Sequence, residues 1–201
     1  EQGHKVTAFA RNPEKVTIKH TNLNVVKGDV LDEAIVEKAM YGHEIVLCAL
    51  GSTINDKSLL RTKGTKNIIG AMNKTGVNRL ICQSGFGSSD SHEQLPFLYK
   101  YIIFPLILKH TFKDHDLQEK SIRESQLNWT IIRPANLIKG NHTGTYWHGQ
   151  VYNDKSMTLK ITFADVADFI LKEVTNGAFV HQAPILMYKN KEQLSHAQSI
   201  Q

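Results

Sequence analysis

The chain has 201 residues, with 24 Lys and Arg against 19 Asp and Glu, so its formal net charge is +5. Hydrophobic residues make up 41% of the chain, which is enough for a packed core and too many for a disordered protein. Basic residues nowhere form a run of five or six, so a nucleic-acid or anionic-membrane footprint is not predicted. Two cysteines, Cys48 and Cys82, exclude a disulfide scaffold and favour a reducing, cytoplasmic location.

The most apolar stretch of the chain covers residues 97–112, and it bears on membrane insertion. Its longest uncharged run, residues 101–108, is far shorter than the roughly 20 residues that a spanning helix needs. We therefore expect no membrane span, and interpret this stretch as a core helix or the wall of a pocket. A dimer face or an exposed apolar patch remains the alternative, and the sequence leaves both a monomer and a homodimer open.

Short apolar runs alternate along the chain with segments of helical periodicity. Strands are predicted over residues 5–10, 23–26, 45–50, 77–84, 129–133 and 184–188. Helices are predicted over residues 32–40, 59–75, 97–125 with an interruption near Pro105, and from a Thr162 cap to Asn176. Residues 136–159 are interpreted as hairpin-like, and the 45–50 strand as covered on both faces.

This alternation predicts an α/β fold, with a mostly parallel sheet and helices on both faces. Ligands in such doubly wound folds bind outside the carboxyl ends of the strands. The functional residues are therefore sought where the predicted strands end, at Arg11, Asp29, Gly51, Ser84 and Pro134. No linker divides the chain, and the polar residues 189–201 are expected to form a disordered tail.

Six motifs at or near the predicted strand ends occur in a recognisable order. They are FARNPEK (9–15), GDV (28–30), ALG (49–51), CQSGFG (82–87), RESQLNWTIIRPANL (123–137) and ITFADVADFIL (161–171). Together they resemble the atypical short-chain dehydrogenase/reductase family, in its NAD(P)H-binding, NmrA-like branch, and within that branch the flavin reductase/biliverdin reductase B type. The resemblance implies a Rossmann-like NAD(P)-binding domain over residues 1–188. It also implies an NADPH-dependent oxidoreductase that transfers hydride to a small planar acceptor such as flavin, quinone or biliverdin.

One part of that family pattern is absent from the sequence. The first strand and the glycine-rich turn, whose following helix holds the cofactor pyrophosphate, find no match. The nearest approach, residues 85–90 (GFGSSD), follows the fourth visible strand and is rejected. The first strand is central in this fold, so its two neighbours are expected to lack a shared partner. Omission of upstream residues, filling of the gap by another segment and a damaged paralogue are the three explanations, of which we favour omission.

Cations follow the strand that ends near residue 10. At this position Asp or Glu binds the ribose 2′-hydroxyl of NAD, whereas a basic side chain accommodates the 2′-phosphate of NADP. Arg11, with Lys15 four residues on, therefore predicts a preference for NADPH over NADH, and two solvated surface cations are the alternative. The resemblance places Asp29 and Val30 beside the adenine; for Asp29, a helix N-terminal acid is the alternative.

The resemblance also assigns the nicotinamide end of the site. It implies that Ser84 is the catalytic residue, facing both the nicotinamide and the acceptor. A surface location for His115 and a purely hydrophobic role for Cys82 are left open. The further cofactor-binding residues that the resemblance implies are Ala49, Leu50, Gly51, Arg61, Cys82, His115 and Pro134.

The tyrosine and lysine of typical short-chain dehydrogenases, spaced Tyr-x-x-x-Lys, can be looked for directly. None of the six tyrosines is followed by Lys four residues later. This argues against an alcohol dehydrogenase or an epimerase and leaves acceptors that need little help with proton transfer. No metal-binding motif is present either. Two competing hypotheses remain: a non-catalytic module that senses NADP(H), and a truncated, inactive paralogue.

Overall fold

The computed structural model describes residues 3–54, 56–152, 156–190, 192 and 195. The strands in those residues are β1 (Val6–Ala10), β2 (Leu23–Lys27), β3 (Ile45–Cys48), β4 (Arg79–Gln83), β5 (Asn128–Pro134), β6 (Asn136–Ile138), β7 (Trp147–Gly149), β8 (Lys160–Thr162) and β9 (Ile185–Met187). The α-helices are α1 (Glu33–Met40), α2 (Leu60–Thr75), α3 (Lys109–Arg123) and α4 (Phe163–Asn176). A π-helix (Tyr99–Leu108) leads into α3, and short 3-10 helices cover Pro13–Lys15 and Ser89–Gln94.

The main sheet has the strand order β3-β4-β5-β9-β7. Its first four strands run parallel, and β7 runs antiparallel to β9. Parallel neighbours need crossover connections, which α2 and α3 supply between β3, β4 and β5. The predicted Rossmann-like α/β fold with a mostly parallel sheet is therefore confirmed.

The sheet is interrupted next to β3. Strand β1 pairs in parallel with β2 alone, and within the described residues no strand joins this pair to β3. This gap lies where the sequence predicts that the first strand of the fold is lacking. Val6 of β1 and Leu47 of β3 are each 49% exposed. The expectation that the 45–50 strand is covered on both faces is therefore wrong, because the Leu47 side chain is half exposed on one face, whereas Cys48 is buried on the other.

Alternate residues of the central strands face two separate cores. Leu80 and Cys82 point toward the core built with α1, α2 and α3, where Met72 and Ile122 are fully buried. Ile81, between them, points to the other side, where Phe169 of α4 packs. A period of two along each strand produces this split. Helices thus cover both faces, as the alternating pattern predicts.

Two sequence-based expectations fail in the second half of the chain. Pro105 does not interrupt the helical stretch, because it lies inside the π-helix, which continues directly into α3. The wider i→i+5 turn changes the hydrogen-bonding pattern there without ending the helix. Residues 136–159 do not form a hairpin either, since β6 pairs in parallel with β8 and β7 pairs with β9.

The end of the chain adds two observations. The Thr162 side chain accepts a hydrogen bond from the Asp165 amide, so Thr162 caps α4 as predicted. Most of the expected tail, residues 189–201, lies outside the described residues.

None of the helices within the described residues has the length and apolar character that a bilayer crossing requires.

Candidate functional site

A cavity of about 650 Å³ opens at the carboxyl ends of β3, β4 and β5. Its floor is the backbone that follows these strands, and its wall is aromatic, with Phe104 of the π-helix and Phe112 of α3 in contact at a ring-centroid distance of 4.0 Å. One side of the apolar 97–112 stretch thus forms a pocket wall, as expected, whereas Phe97, Leu106 and Ile107 are more than half exposed, so the alternative of an exposed apolar patch holds for the other side. Seven of the residues named from the sequence line the cavity: Ala49, Leu50, Gly51, Arg61, Ser84, His115 and Pro134.

Ser84 and His115 meet at the floor of this cavity. Ser84 follows β4, His115 lies on α3, and the Ser84 Oγ is 3.3 Å from the His115 Nδ1. Ser84 is 3% exposed and His115 is 8% exposed, so the surface location considered for His115 is wrong. Burial, and secondarily the positive charge of Arg61, lower the pKa of His115 to about 4. The imidazole is therefore neutral near pH 7.

Buried ion pairing fixes α3 against the sheet below His115. The Arg133 guanidinium of β5 donates to both carboxylate oxygens of Glu119 on α3, with Nε–Oε1 at 3.0 Å and Nη2–Oε2 at 2.6 Å. Arg133 also donates to Asp90. Glu119 stands one helical turn after His115, so this pair holds the part of α3 that carries His115 against β5.

Arg61 enters the cavity from the first turn of α2. Its Nη1 donates to the Ser52 Oγ at 2.5 Å and lies 3.7 Å from Asp114 Oδ2. The Asp114 carboxylate accepts hydrogen bonds from the amides of Arg61 and Thr62 and from the Thr62 hydroxyl. Asp114 therefore caps α2 and anchors it to α3, which places Arg61 beside the Ser84–His115 pair.

The backbone amides of the turn after β4 are hydrogen-bonded to acceptors within the protein. The amide of Ser84 donates to Ile132, that of Phe86 to Pro134 and that of Gly87 to the Ser91 hydroxyl. Gly87 has a φ of +104°, which fits a tight turn. These amides are not directed at an outside anion, which agrees with the rejection of residues 85–90 as the pyrophosphate-binding turn.

Four of the residues named from the sequence lie at the ends of β1 and β2, outside the cavity lining. Arg11 and Lys15 are exposed to solvent. Asp29 accepts a hydrogen bond from the Leu31 amide just before α1, and Asp32 is the residue that caps this helix, so the alternative of Asp29 as an acid near the helix N-terminus stays open. Val30 is buried in the core against α2.

Cys82 does not reach the cavity. It lies opposite Cys48 in the register of β3 and β4, and both are buried. The Gln118 side-chain amide donates to the Cys82 Sγ at 3.3 Å. The hydrogen bond with Cys48, followed by burial, raises the pKa of the Cys82 thiol well above its usual value. The structure therefore places Cys82 as a core residue.

A tyrosine and a lysine do approach each other elsewhere in the fold. The Tyr146 hydroxyl lies 3.5 Å from the Lys172 Nζ and donates to Asp168 at 2.7 Å. Burial and the Asp168 carboxylate raise the pKa of Tyr146. Neither residue lines the cavity, so the pair stabilises the packing of the 141–149 segment on α4 and cannot relay protons at the strand ends.

Sequence reasoning missed the residues that position this site. Neither Ser52 nor Asp114, which directly precedes His115 on α3, is among the site residues predicted from the sequence. Only the polarity of a helical residue next to a candidate could have signalled Asp114. Within the described ranges, no group of three or more His, Cys, Asp or Glu side chains is arranged to hold a metal ion.

Comparison with known proteins shows the family to which the chain belongs. An oxidoreductase from Lactococcus lactis superposes with a TM-score of 0.76 at 21% identity, covering 99% of this chain and 90% of its own. A short-chain dehydrogenase/reductase from Veillonella parvula in complex with NADP gives 0.73 at 19% identity, over 90% and 82% of the two chains. ChuY from Escherichia coli O157:H7, an anaerobilin reductase, gives 0.72 at 22% identity, over 92% and 84%. The model of the NAD(P)H-binding family matches residues 1–177, and the chain belongs to that family.

Proposed function

We propose that this protein is an NADPH-dependent reductase of a planar acceptor, close to the flavin reductase/biliverdin reductase B type. The observation that carries the proposal is the buried Ser84–His115 pair at the floor of an aromatic-walled cavity, where parallel strands end. Ligands of open α/β sheets bind at this edge. Membership of the NAD(P)H-binding family supports the cofactor class.

The residues present fit the two ends of the cofactor. Arg11 and Lys15 offer exposed cations to a 2′-phosphate, and the Asp29 carboxylate is placed at the end of β2 for the adenine amino group. At the other end, a Cβ added to Gly51 would meet no heavy atom within 4 Å, so the backbone can approach a flat ring closely. NADPH, when bound, supplies the hydride. The Veillonella neighbour, solved with NADP, supports this placement by fold alone.

The chemistry of the cavity favours an acceptor that needs little help with proton transfer. The Ser84 hydroxyl can donate a hydrogen bond to a carbonyl or ring nitrogen on which negative charge develops. His115 is neutral, so its hydrogen bond with the Ser84 hydroxyl can orient that hydroxyl without adding charge to the site. The wall of Phe104 and Phe112 suits a flat conjugated ring. That ChuY, of the same fold, is an anaerobilin reductase supports a tetrapyrrole, flavin or quinone.

The proposal is tested by following NADPH oxidation with FMN, menadione and biliverdin as acceptors. We expect turnover with at least one of them, and a lower rate of that turnover in Ser84→Ala. Direct titration of NADPH and NADH, followed by nicotinamide fluorescence, measures cofactor binding separately. Tight NADPH binding with no turnover across the acceptors would contradict the reductase and favour the sensing module.

A further inference from the structure

The Arg61 guanidinium is buried without a full set of partners. Arg61 is 7% exposed, and its Nε finds no hydrogen-bond acceptor among the described residues. Its Nη1 is bonded to Ser52, a neutral hydroxyl. A buried charge of this kind is costly unless it is both paired and hydrogen-bonded.

Asp114, the nearest carboxylate, is committed elsewhere. Its Oδ2 accepts from the Arg61 amide at 3.0 Å, and its Oδ1 accepts from the amide and hydroxyl of Thr62 at 2.9 and 2.6 Å. The guanidinium itself stays 3.7 Å from Oδ2, outside hydrogen-bonding distance. The Asp114 carboxylate thus accepts hydrogen bonds from the start of α2, and the Nε of Arg61 is left without an acceptor among the described residues.

The cavity that Arg61 lines holds no compensating acid. Among the described residues no Asp or Glu side chain lines it, and Arg61 is the only lining residue with a permanent charge. The other titratable residues of the lining are His115, which is neutral, and Tyr99. A ligand in this cavity therefore meets a positive, partly desolvated fork beside an aromatic wall.

We propose that Arg61 binds an oxyanion carried by the planar acceptor, a carboxylate or a phosphate, and so selects anionic over neutral acceptors. The planar guanidinium presents parallel N–H donors that match either group. This inference rests on the proposed function for the planar ring, but the anionic group follows from the unsatisfied Nε of Arg61 and from the lack of acids among the described residues that line the cavity. A carboxylate or phosphate there completes the ion pair that Asp114 leaves loose.

Matched acceptor pairs test the charge preference by binding, without turnover. FMN and riboflavin share one ring and differ in a phosphate; anthraquinone-2-carboxylate and 2-(hydroxymethyl)anthraquinone differ in a carboxylate. Dissociation constants are measured in the presence of saturating NADP⁺ on wild type, Arg61→Gln and Arg61→Lys. In at least one pair the anion should bind wild type about ten- to a hundredfold more tightly, as expected for a charged hydrogen bond. The pair that shows the effect identifies the phosphate or the carboxylate.

The variants distinguish a direct contact between Arg61 and the anion from a general effect of positive charge on the protein. Arg61→Gln should reduce that ratio to nearly one, Arg61→Lys should retain part of it, and Lys66→Gln, at an exposed site of the same helix, should leave it unchanged. Circular dichroism checks that each variant folds, and the wild-type ratio stands without any variant.

Two outcomes would overturn the assignment of Arg61. One is a wild-type ratio near one in both pairs. The other is an Arg61→Gln variant that loses NADPH affinity while its acceptor ratio stays the same, because the guanidinium would then serve the cofactor phosphates. Failure of the proposed function looks different, since it appears as an absence of NADPH binding or of turnover with every acceptor.

Discussion

Arg133 and Glu119 form a fully buried ion pair with two hydrogen bonds. Arg133 belongs to β5, the middle strand of the main sheet, and Glu119 belongs to α3, the helix that carries His115. Their side chains are 1% and 0% exposed, and the two hydrogen bonds measure 3.0 and 2.6 Å. Despite its burial, Arg133 keeps a pKa above the usual arginine value, because Glu119 and Asp90 stabilise its charge. Such a pair need not add much net stability, yet it fixes the distance between α3 and β5.

Removing one partner of this pair should be strongly destabilising. Glu119→Gln preserves shape but leaves the buried Arg133 charge with only the exposed Asp90 carboxylate, so the cost should approach the about 3–5 kcal/mol expected for breaking a buried pair. Chemical denaturation measures the change in unfolding free energy. Glu124→Gln is the matched control, since Glu124 and Lys120 are exposed and 3.8 Å apart, and it should cost less than about 1 kcal/mol. Equal effects of the two substitutions would refute a structural role for the buried pair.

The neutral His115 makes stability depend on pH in a defined window. The folded-state pKa is about 4 and the ordinary value is 6.5, so the unfolded chain binds the proton first. Stability should therefore fall as the pH drops from 6.5 toward 4, with a share from His115 of roughly 3 kcal/mol. His115→Gln should lose less stability over that range than wild type. An NMR titration of the imidazole checks the cause directly, and a midpoint near 6.5 would disprove it.

Arg11 is expected to produce the preference for NADPH over NADH. Arg11→Ala should weaken NADPH binding about ten- to a hundredfold, because a charged hydrogen bond to the 2′-phosphate is lost. NADH, which lacks that phosphate, should bind as before. Lys19→Ala, an exposed cation in the loop that follows, is the control. Equal dissociation constants for the two cofactors in wild type would mean that Arg11 and Lys15 are solvated surface cations.

The sequence predicts which residues gather at the strand ends, because motif order places the strand ends in an α/β fold. Five of the residues predicted at strand ends line one cavity, namely Ala49, Leu50, Gly51, Ser84 and Pro134. The contacts inside the site are not predictable in the same way. Ser84 and His115 are 31 residues apart, and Arg61 and Asp114 are 53 apart, so their contacts depend on how α2 and α3 pack. The π-helix also escaped prediction, since Pro105 looks like a breaker and the i→i+5 pattern leaves no clear period.

Ser84 is expected to affect the rate of turnover and not the affinity for NADPH. Its hydroxyl lies 3.3 Å from both His115 Nδ1 and Ser88 Oγ at the cavity floor, so it can stabilise charge that develops on the acceptor. Ser84→Ala should lower kcat about ten- to a hundredfold while the NADPH dissociation constant stays within about threefold, since the hydrogen bond strengthens chiefly in the transition state. Ser121→Ala, on α3 but off the cavity, should leave both unchanged. A parallel loss of NADPH affinity in Ser84→Ala would instead assign Ser84 to cofactor binding.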